Sequence, residues 1–208
     1  MAASIAPGSQ VAIIGRSGSG KSALLRSLLI PYRRALLLDP KRRADFGGWA
    51  ILEGGRAGAR DWPRNVQRAI ARPAILEPER DWMDALCRLA YYAGSCVLAA
   101  DELAGIATES KPLPWLNVCL TRGRDPGPQG PITTIVASQR PRRIPVSVIS
   151  EADHVIAFDL NYPADRKFMA ELIGAYERPR IEHGFWYWRP DLETAVECEP
   201  IVLGAGNA

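Results

Sequence analysis

The chain is poor in the residues that hold metals and disulfides. It has two histidines, His154 and His183, and four widely spread cysteines, Cys87, Cys96, Cys119 and Cys198. No Cys-x-x-Cys pair and no Cys/His ligand spacing occurs, so a zinc site is not expected. Cys96 lies in an apolar run and reads as a small core residue, which fits a reducing, cytosolic setting. Long apolar runs are missing too. None approaches the ~18 residues of a membrane-crossing helix, and the first residues lack the basic-then-apolar order of a signal peptide. The expectation is a cytoplasmic protein without a transmembrane segment of its own. Internal repeats and low-complexity segments are absent. So is a strong excess of one charge: 26 Lys and Arg stand against 23 Asp and Glu, a net of +3, which excludes a general polycation. The basic residues are clustered locally, and that bears more on function than the total.

What is present reads as one domain. A length of 208 residues with 47% hydrophobic content supports a single core. Short apolar runs at Gln10–Gly15, Arg34–Pro40, Pro73–Pro78, Cys96–Leu103, Ile132–Val136 and Ala152–Leu160 predict strands. Helices are predicted over Lys21–Ile30, from Asp61 to just before Pro73, over Arg80–Gly94 and Pro112–Arg124, and from about Pro163 to Ala175. The Gly- and Arg-rich stretch from Lys41 to Trp62 reads as irregular. "FWYW" (Phe185–Trp188) reads as a late edge strand covering the core, with packing on a partner as the alternative. Strands that are continuously apolar and alternate with helices predict a mainly parallel sheet flanked by helices. Ligands of such sheets sit at the carboxyl ends of the strands.

Three of those strand ends carry chemistry. "GRSGSGKS" (Gly15 to Ser22) matches G-x-x-x-x-G-K-[ST] between a predicted strand and a predicted helix. Its glycines let successive N–H groups face phosphate oxygens. Gly15, Arg16, Ser17, Gly18, Ser19, Gly20, Lys21, Ser22 and Ala23 are therefore the candidate nucleotide-binding residues. Lys21 supplies charge to the β- and γ-phosphates, and Ser22 a hydroxyl to Mg²⁺. "VLAADE" ends in Asp101, a candidate to hold Mg²⁺ through water, and Glu102, a candidate to polarise the attacking water. The plain structural alternative is a pair of capping acids at a strand-to-helix turn. "ITTIVASQRP" delivers Gln139, whose amide both donates and accepts and so can sense a γ-phosphate. The alternative is a surface turn.

A Walker A loop, a strand ending in Asp-Glu, an "LTRGR" helix end and a strand ending in "SQRP" occur in that order. With "LLLDPK" (Leu36 to Lys41) and "IPVSVISEADHVIAF" (Ile144 to Phe158), the chain resembles the HerA/FtsK superfamily of DNA-pumping ATPases. It is especially similar to the genome-packaging ATPases of tailless double-jelly-roll viruses and phages. The resemblance spans roughly residues 9 to 175, leaving about 176–208 as a small C-terminal β element and tail.

The resemblance implies a RecA-like P-loop fold, ATP and Mg²⁺ as cofactors, and hydrolysis driving double-stranded DNA into a preformed capsid. It implies a homo-oligomeric ring, pentamer or hexamer, in the host cytoplasm, with a capsid vertex or membrane protein as a further partner. It also implies an arginine reaching the neighbouring subunit's nucleotide, here Arg124 or Arg122. The longer "DPGPQGP" link after Arg124 departs from the family's pattern, and a solvated helix end is the alternative for both.

Arg56, Arg60, Arg64, Arg68 and Arg72 recur every four residues, and the last three are expected on one helix face. Lys41-Arg42-Arg43 and Arg140-Arg142-Arg143 form two more basic clusters. Such groups can grip phosphates without reading bases; a solvated face is the alternative for each. Trp49, Trp62 and Trp82 are expected in the core or at an interface. The alternatives to packaging are a conjugative or segregation-type DNA-translocating ATPase, a non-DNA assembly NTPase and a small-molecule P-loop kinase.

Overall fold

The computed structural model describes residues 5–54, 62, 66–74, 80–125, 130–174 and 176–200. Its sheet is built from β1 (Gln10–Ile14), β2 (Ala35–Leu38), β3 (Ala50–Glu53), β4 (Arg68–Arg72), β5 (Cys96–Asp101), β6 (Ile132–Ser138), β7 (His154–Ala157), β8 (Phe185–Trp188) and β9 (Val196–Cys198). They lie in the order β3-β4-β2-β5-β6-β1-β7-β8-β9. All neighbours from β3 to β7 are parallel, and β8 and β9 add antiparallel at the β7 side. The helices are α1 (Lys21–Leu29), α2 (Arg80–Ala93), α3 (Pro114–Arg122), α4 (Ser147–Ser150) and α5 (Pro163–Ile173). The fold is α/β, a mostly parallel sheet flanked by helices.

The continuous apolar strands are explained by two-sided burial. Along β1, Val11 and Ile13 pack with Leu24, Leu25 and Leu29 of α1 on one face. Ala12 and Ile14 face the opposite way, toward Met83, Leu86 and Cys87 of α2, Cys119 and Leu120 of α3, and Met169 and Ile173 of α5. Side chains alternate across a strand, so a strand covered on both faces has no polar positions left. Cys96 is buried as expected of a small apolar residue, and so are Cys87 and Cys119.

Two expectations are corrected. The stretch expected to be irregular contains β3, the edge strand paired to β4. Arg68–Arg72, expected as the end of a helix, is strand β4. Ala69, Ile70 and Ala71 are good helix formers or neutral by intrinsic propensity, but burial between β3 and β2 decides the outcome. Residues four apart share a side in a strand as well as in a helix. Arg68 donates to the Tyr32 and Ile30 carbonyls, and Arg72 to the Asp39 carboxylate. Neither belongs to a solvated basic face. Arg56, Arg60 and Arg64, and most of the strand expected at Pro73–Pro78, lie outside the described residues.

Trp62 is fully buried, and Trp49 and Trp82 pack against the core, as expected. The aromatic run forms β8, but β9 pairs with it and takes the edge.

Candidate active site

Parallel pairing aligns the carboxyl ends of four strands. Ile14 of β1 stands opposite Ser138 of β6, Asp101 of β5 opposite Ala137, and Leu38 of β2 opposite Ala100. The residues that follow, Gly15, Gln139, Glu102 and Asp39, therefore share one edge of the sheet. A cavity of about 510 Å³ opens there.

The loop after β1 curls tightly. Gly15 N–H donates to the Ser138 carbonyl at 3.1 Å, and Arg16 N–H to the Asp159 carbonyl at 2.7 Å. A Cβ on Gly15 would sit 2.6 Å from Phe158 Cβ and 2.7 Å from Ser19 Oγ, so only glycine fits. Gly20, at φ 108°, starts α1 in a conformation that L side chains rarely adopt. No side chain caps that helix, so its first N–H groups and their positive potential are left for an anion.

Ser17, Gly18, Gly20, Lys21, Ser22 and Ala23 line the cavity. Gly15, Arg16 and Ser19 shape the loop from behind. Arg16 pairs with Asp159 at 2.7 Å and turns toward a second cavity of about 400 Å³ under residues 178–184.

Lys21 folds back under the loop, its Nζ donating to the Arg16 carbonyl at 2.7 Å. Burial is the main cause lowering its pKa to about 8, and the nearby Glu102 and Asp101 carboxylates only partly offset it. Ser22 Oγ donates to Asp101 Oδ2 at 3.2 Å. Burial pushes the Asp101 carboxyl above its ordinary value, with the Ser22 hydrogen bond opposing. A hydroxyl and a carboxylate this close are hard oxygen donors that suit Mg²⁺, with water and phosphate oxygens completing the shell. Among the described residues no cluster of three or more His, Cys, Asp or Glu could hold a metal alone. A cation here would depend on the nucleotide.

Glu102 is buried and sits in the left-handed region at φ 69°. For a non-glycine residue this costs on the order of 1 kcal/mol or more, and such strain clusters at functional positions. It aims the carboxylate back across the strand ends. Oε1 accepts from Ser138 Oγ at 3.3 Å and from Gln139 N–H at 3.2 Å; Oε2 accepts from Lys41 Nζ at 3.2 Å. Gln139 itself lines the cavity.

Arg140 is taken out of the basic cluster by Asp165, at 2.7 Å, and by the Tyr162 ring, 3.8 Å from its guanidinium carbon. Arg142 and Arg143 remain exposed on the turn that follows. Arg122 and Arg124 are not brought to the cavity. Arg122 is the last residue of α3 and Arg124 follows it, at the amino end of β6, roughly 20 Å from its carboxyl end by strand rise. Arg124 pairs there with Asp153 at 3.1 Å.

Sequence reasoning missed other cavity residues, among them Lys41 as a member of the site, Arg26, Phe46 and His183. Lys41 had a signal, because "LLLDPK" ends a neighbouring parallel strand. His183 had none, since only the tertiary fold returns residues 178–184 to the loop.

The edge of a mostly parallel sheet thus carries a phosphate-type loop, a Ser–Asp pair and a buried glutamate. Among solved structures, the chain is similar to the genome packaging NTPase B204 from Sulfolobus turreted icosahedral virus 2 in complex with sulfate. The TM-score is 0.74 at 18% identity, covering 95% of this chain and 99% of that one. The AMPPCP complex of that protein matches at a TM-score of 0.71 and 17% identity, over 95% of this chain and 100% of that one.

The chain has the P-loop ATPase fold. It is shared more distantly by the pCW3 conjugation coupling protein TcpA, at a TM-score of 0.59 and 16% identity, over 92% of this chain and 59% of that one. These neighbours share the fold that the resemblance drawn from the motifs implied. No protein-family model and no curated protein matches the sequence. Among the described residues, no helix is long and apolar enough to cross a membrane.

Proposed function

We propose that the chain is an ATPase that uses hydrolysis to move double-stranded DNA, as the packaging motor of a virus with a preformed capsid. The observation that carries the ATPase reading is the placement of Glu102. It is a buried carboxylate beside the Ser22–Asp101 pair and Gln139, on the rim of the cavity that Lys21 and the α1 N-terminus make positive.

In this reading the loop N–H groups and Lys21 bind the β- and γ-phosphates. Ser22 and Asp101 would hold Mg²⁺, which supplies neutralisation of phosphate oxygens. Glu102 accepts a proton from a water whose oxygen attacks the γ-phosphorus as the bond to the β,γ-bridging oxygen breaks. The products are ADP and inorganic phosphate. Gln139 orients the water or the γ-phosphate. A carboxylate base in this position favours water over a small-molecule hydroxyl as acceptor.

The motor reading rests on the fold shared with a packaging NTPase and a conjugation coupling protein, and on exposed cations at the same sheet edge. Arg43, Arg142 and Arg143 are exposed there, positioned to touch a phosphate backbone without reading bases. Arg124 and Arg122, at the opposite end of the sheet, cannot serve their own chain's nucleotide. In a homo-oligomeric ring either one reaches the neighbour's site, where such an arginine is worth ~10³-fold or more in rate.

Phosphate release in ATP and Mg²⁺, with and without long linear duplex, tests this. Stimulation by duplex is expected. Glu102→Gln should abolish turnover while nucleotide still binds, and one of Arg124→Ala and Arg122→Ala should lower it by ~10³. Hydrolysis indifferent to DNA at low salt and ring-forming concentrations would overturn the motor reading in favour of an assembly NTPase. Phosphorylation of an added nucleoside without phosphate release would overturn hydrolysis itself.

A further inference from the structure

Glu102 is over-satisfied for a base. Its two oxygens accept three donors: the Ser138 hydroxyl, the Gln139 N–H and the Lys41 ammonium. An oxygen whose lone pairs are engaged by donors cannot take a proton from water until one of them leaves. Two of the donors are fixed, since Ser138 is fully buried in β6 and Gln139 donates from the backbone. The third is movable. The Lys41 side chain is 40% exposed, on a flexible four-carbon stem, and among the described residues it alone donates to Oε2.

The base of that lysine is held firmly. The carboxylate of Asp39, fully buried at the end of β2, accepts from Arg43 N–H at 3.1 Å, Ala44 N–H at 2.9 Å and Arg72 Nε at 3.2 Å. The loop is thus fixed while the ammonium can swing. Lys41 also lines the same cavity as Lys21, Ser22, Asp101 and Gln139, so a γ-phosphate entering there would lie within its reach.

We infer that Lys41 reads the γ-phosphate. Without a triphosphate it caps Oε2 of Glu102 and holds the carboxylate idle. A γ-phosphate, carrying more negative charge than one carboxylate, draws the ammonium away and leaves Oε2 free to accept a proton from water. A diphosphate does not reach it, and the cap stays on. The inference rests on the ATPase reading of this cavity, but not on DNA movement.

The test compares binding of ADP and of the non-hydrolysable β,γ-methylene analogue of ATP, both with Mg²⁺, to the full chain without DNA. In Lys41→Ala the preference for the analogue over ADP should fall on the order of tenfold, the worth of one charge-assisted hydrogen bond. ADP affinity should stay within about twofold. Lys41→Arg, which keeps the charge, should restore most of the preference.

Equal losses for both nucleotides would mean that Lys41 only supports the loop, and would overturn the inference. So would an unchanged preference. Failure of the wild-type chain to bind either nucleotide would sink the ATPase reading itself, a result distinct from both.

Discussion

Lys21 meets two opposed electrostatic demands. Packing under the loop strips water from its ammonium and lowers its pKa to about 8, while the proposed role of holding phosphate needs that charge. A bound phosphate would raise the pKa again, so nucleotide binding above pH 8 must take up a proton. Affinity for nucleotide should therefore be full at about pH 7 and fall as pH rises toward about 9, by at most tenfold per pH unit. Lys21→Arg, whose guanidinium stays charged, should bind more weakly but without this slope. Titration calorimetry at several pH values reads both, and an equal slope in the two proteins would contradict the assignment. The same shift should let the nucleotide-free chain gain stability between pH 8 and 10.5, because the unfolded chain holds that proton more tightly there.

At the scale of elements, the loop after β2 depends on one carboxylate. Asp39 satisfies two backbone N–H groups and Arg72 from a fully buried position. Asp39→Asn keeps the size but removes the charge and turns one acceptor into a donor. It should cost about 2 kcal/mol or more, visible as a lowered unfolding midpoint. It should also loosen Lys41 and so weaken discrimination between ATP and ADP. A variant as stable and as selective as the wild type would show that the buried pair does not shape the loop.

This network also shows where the sequence was legible. Strands β1, β2, β5, β6 and β7 were readable because two-sided burial leaves an unbroken apolar run with punctuation at each end. β4 was not, because the two alanines flanking Ile70 favour helix and only their neighbours in the sheet make the segment a strand. The Walker A loop, Asp101, Glu102 and Gln139 were readable as strand-end residues, since parallel register brings such ends together. Phe46 and His183 join the cavity through loop paths that no local pattern encodes, whereas "LLLDPK" marked Lys41 as a strand-end residue.

At the scale of the whole molecule, the two kinds of candidate chemistry occupy opposite ends of the sheet. The cavity proposed to bind nucleotide lies at the carboxyl ends, and Arg122 and Arg124 lie at the amino end of β6. A lone chain cannot bring them together, whereas a ring that stacks one end against the next subunit's other end can. Closed head-to-tail rings are the arrangement in which every copy both gives and receives such a residue. DNA threading the ring would then feel each hydrolysis step through the exposed cations at the cavity edge. The most direct test of this account is displacement of a third strand from a linear duplex that carries it at one end. The account predicts ATP-dependent stripping of that strand by the wild-type chain and none by Glu102→Gln. DNA-stimulated hydrolysis with the third strand left in place would contradict it.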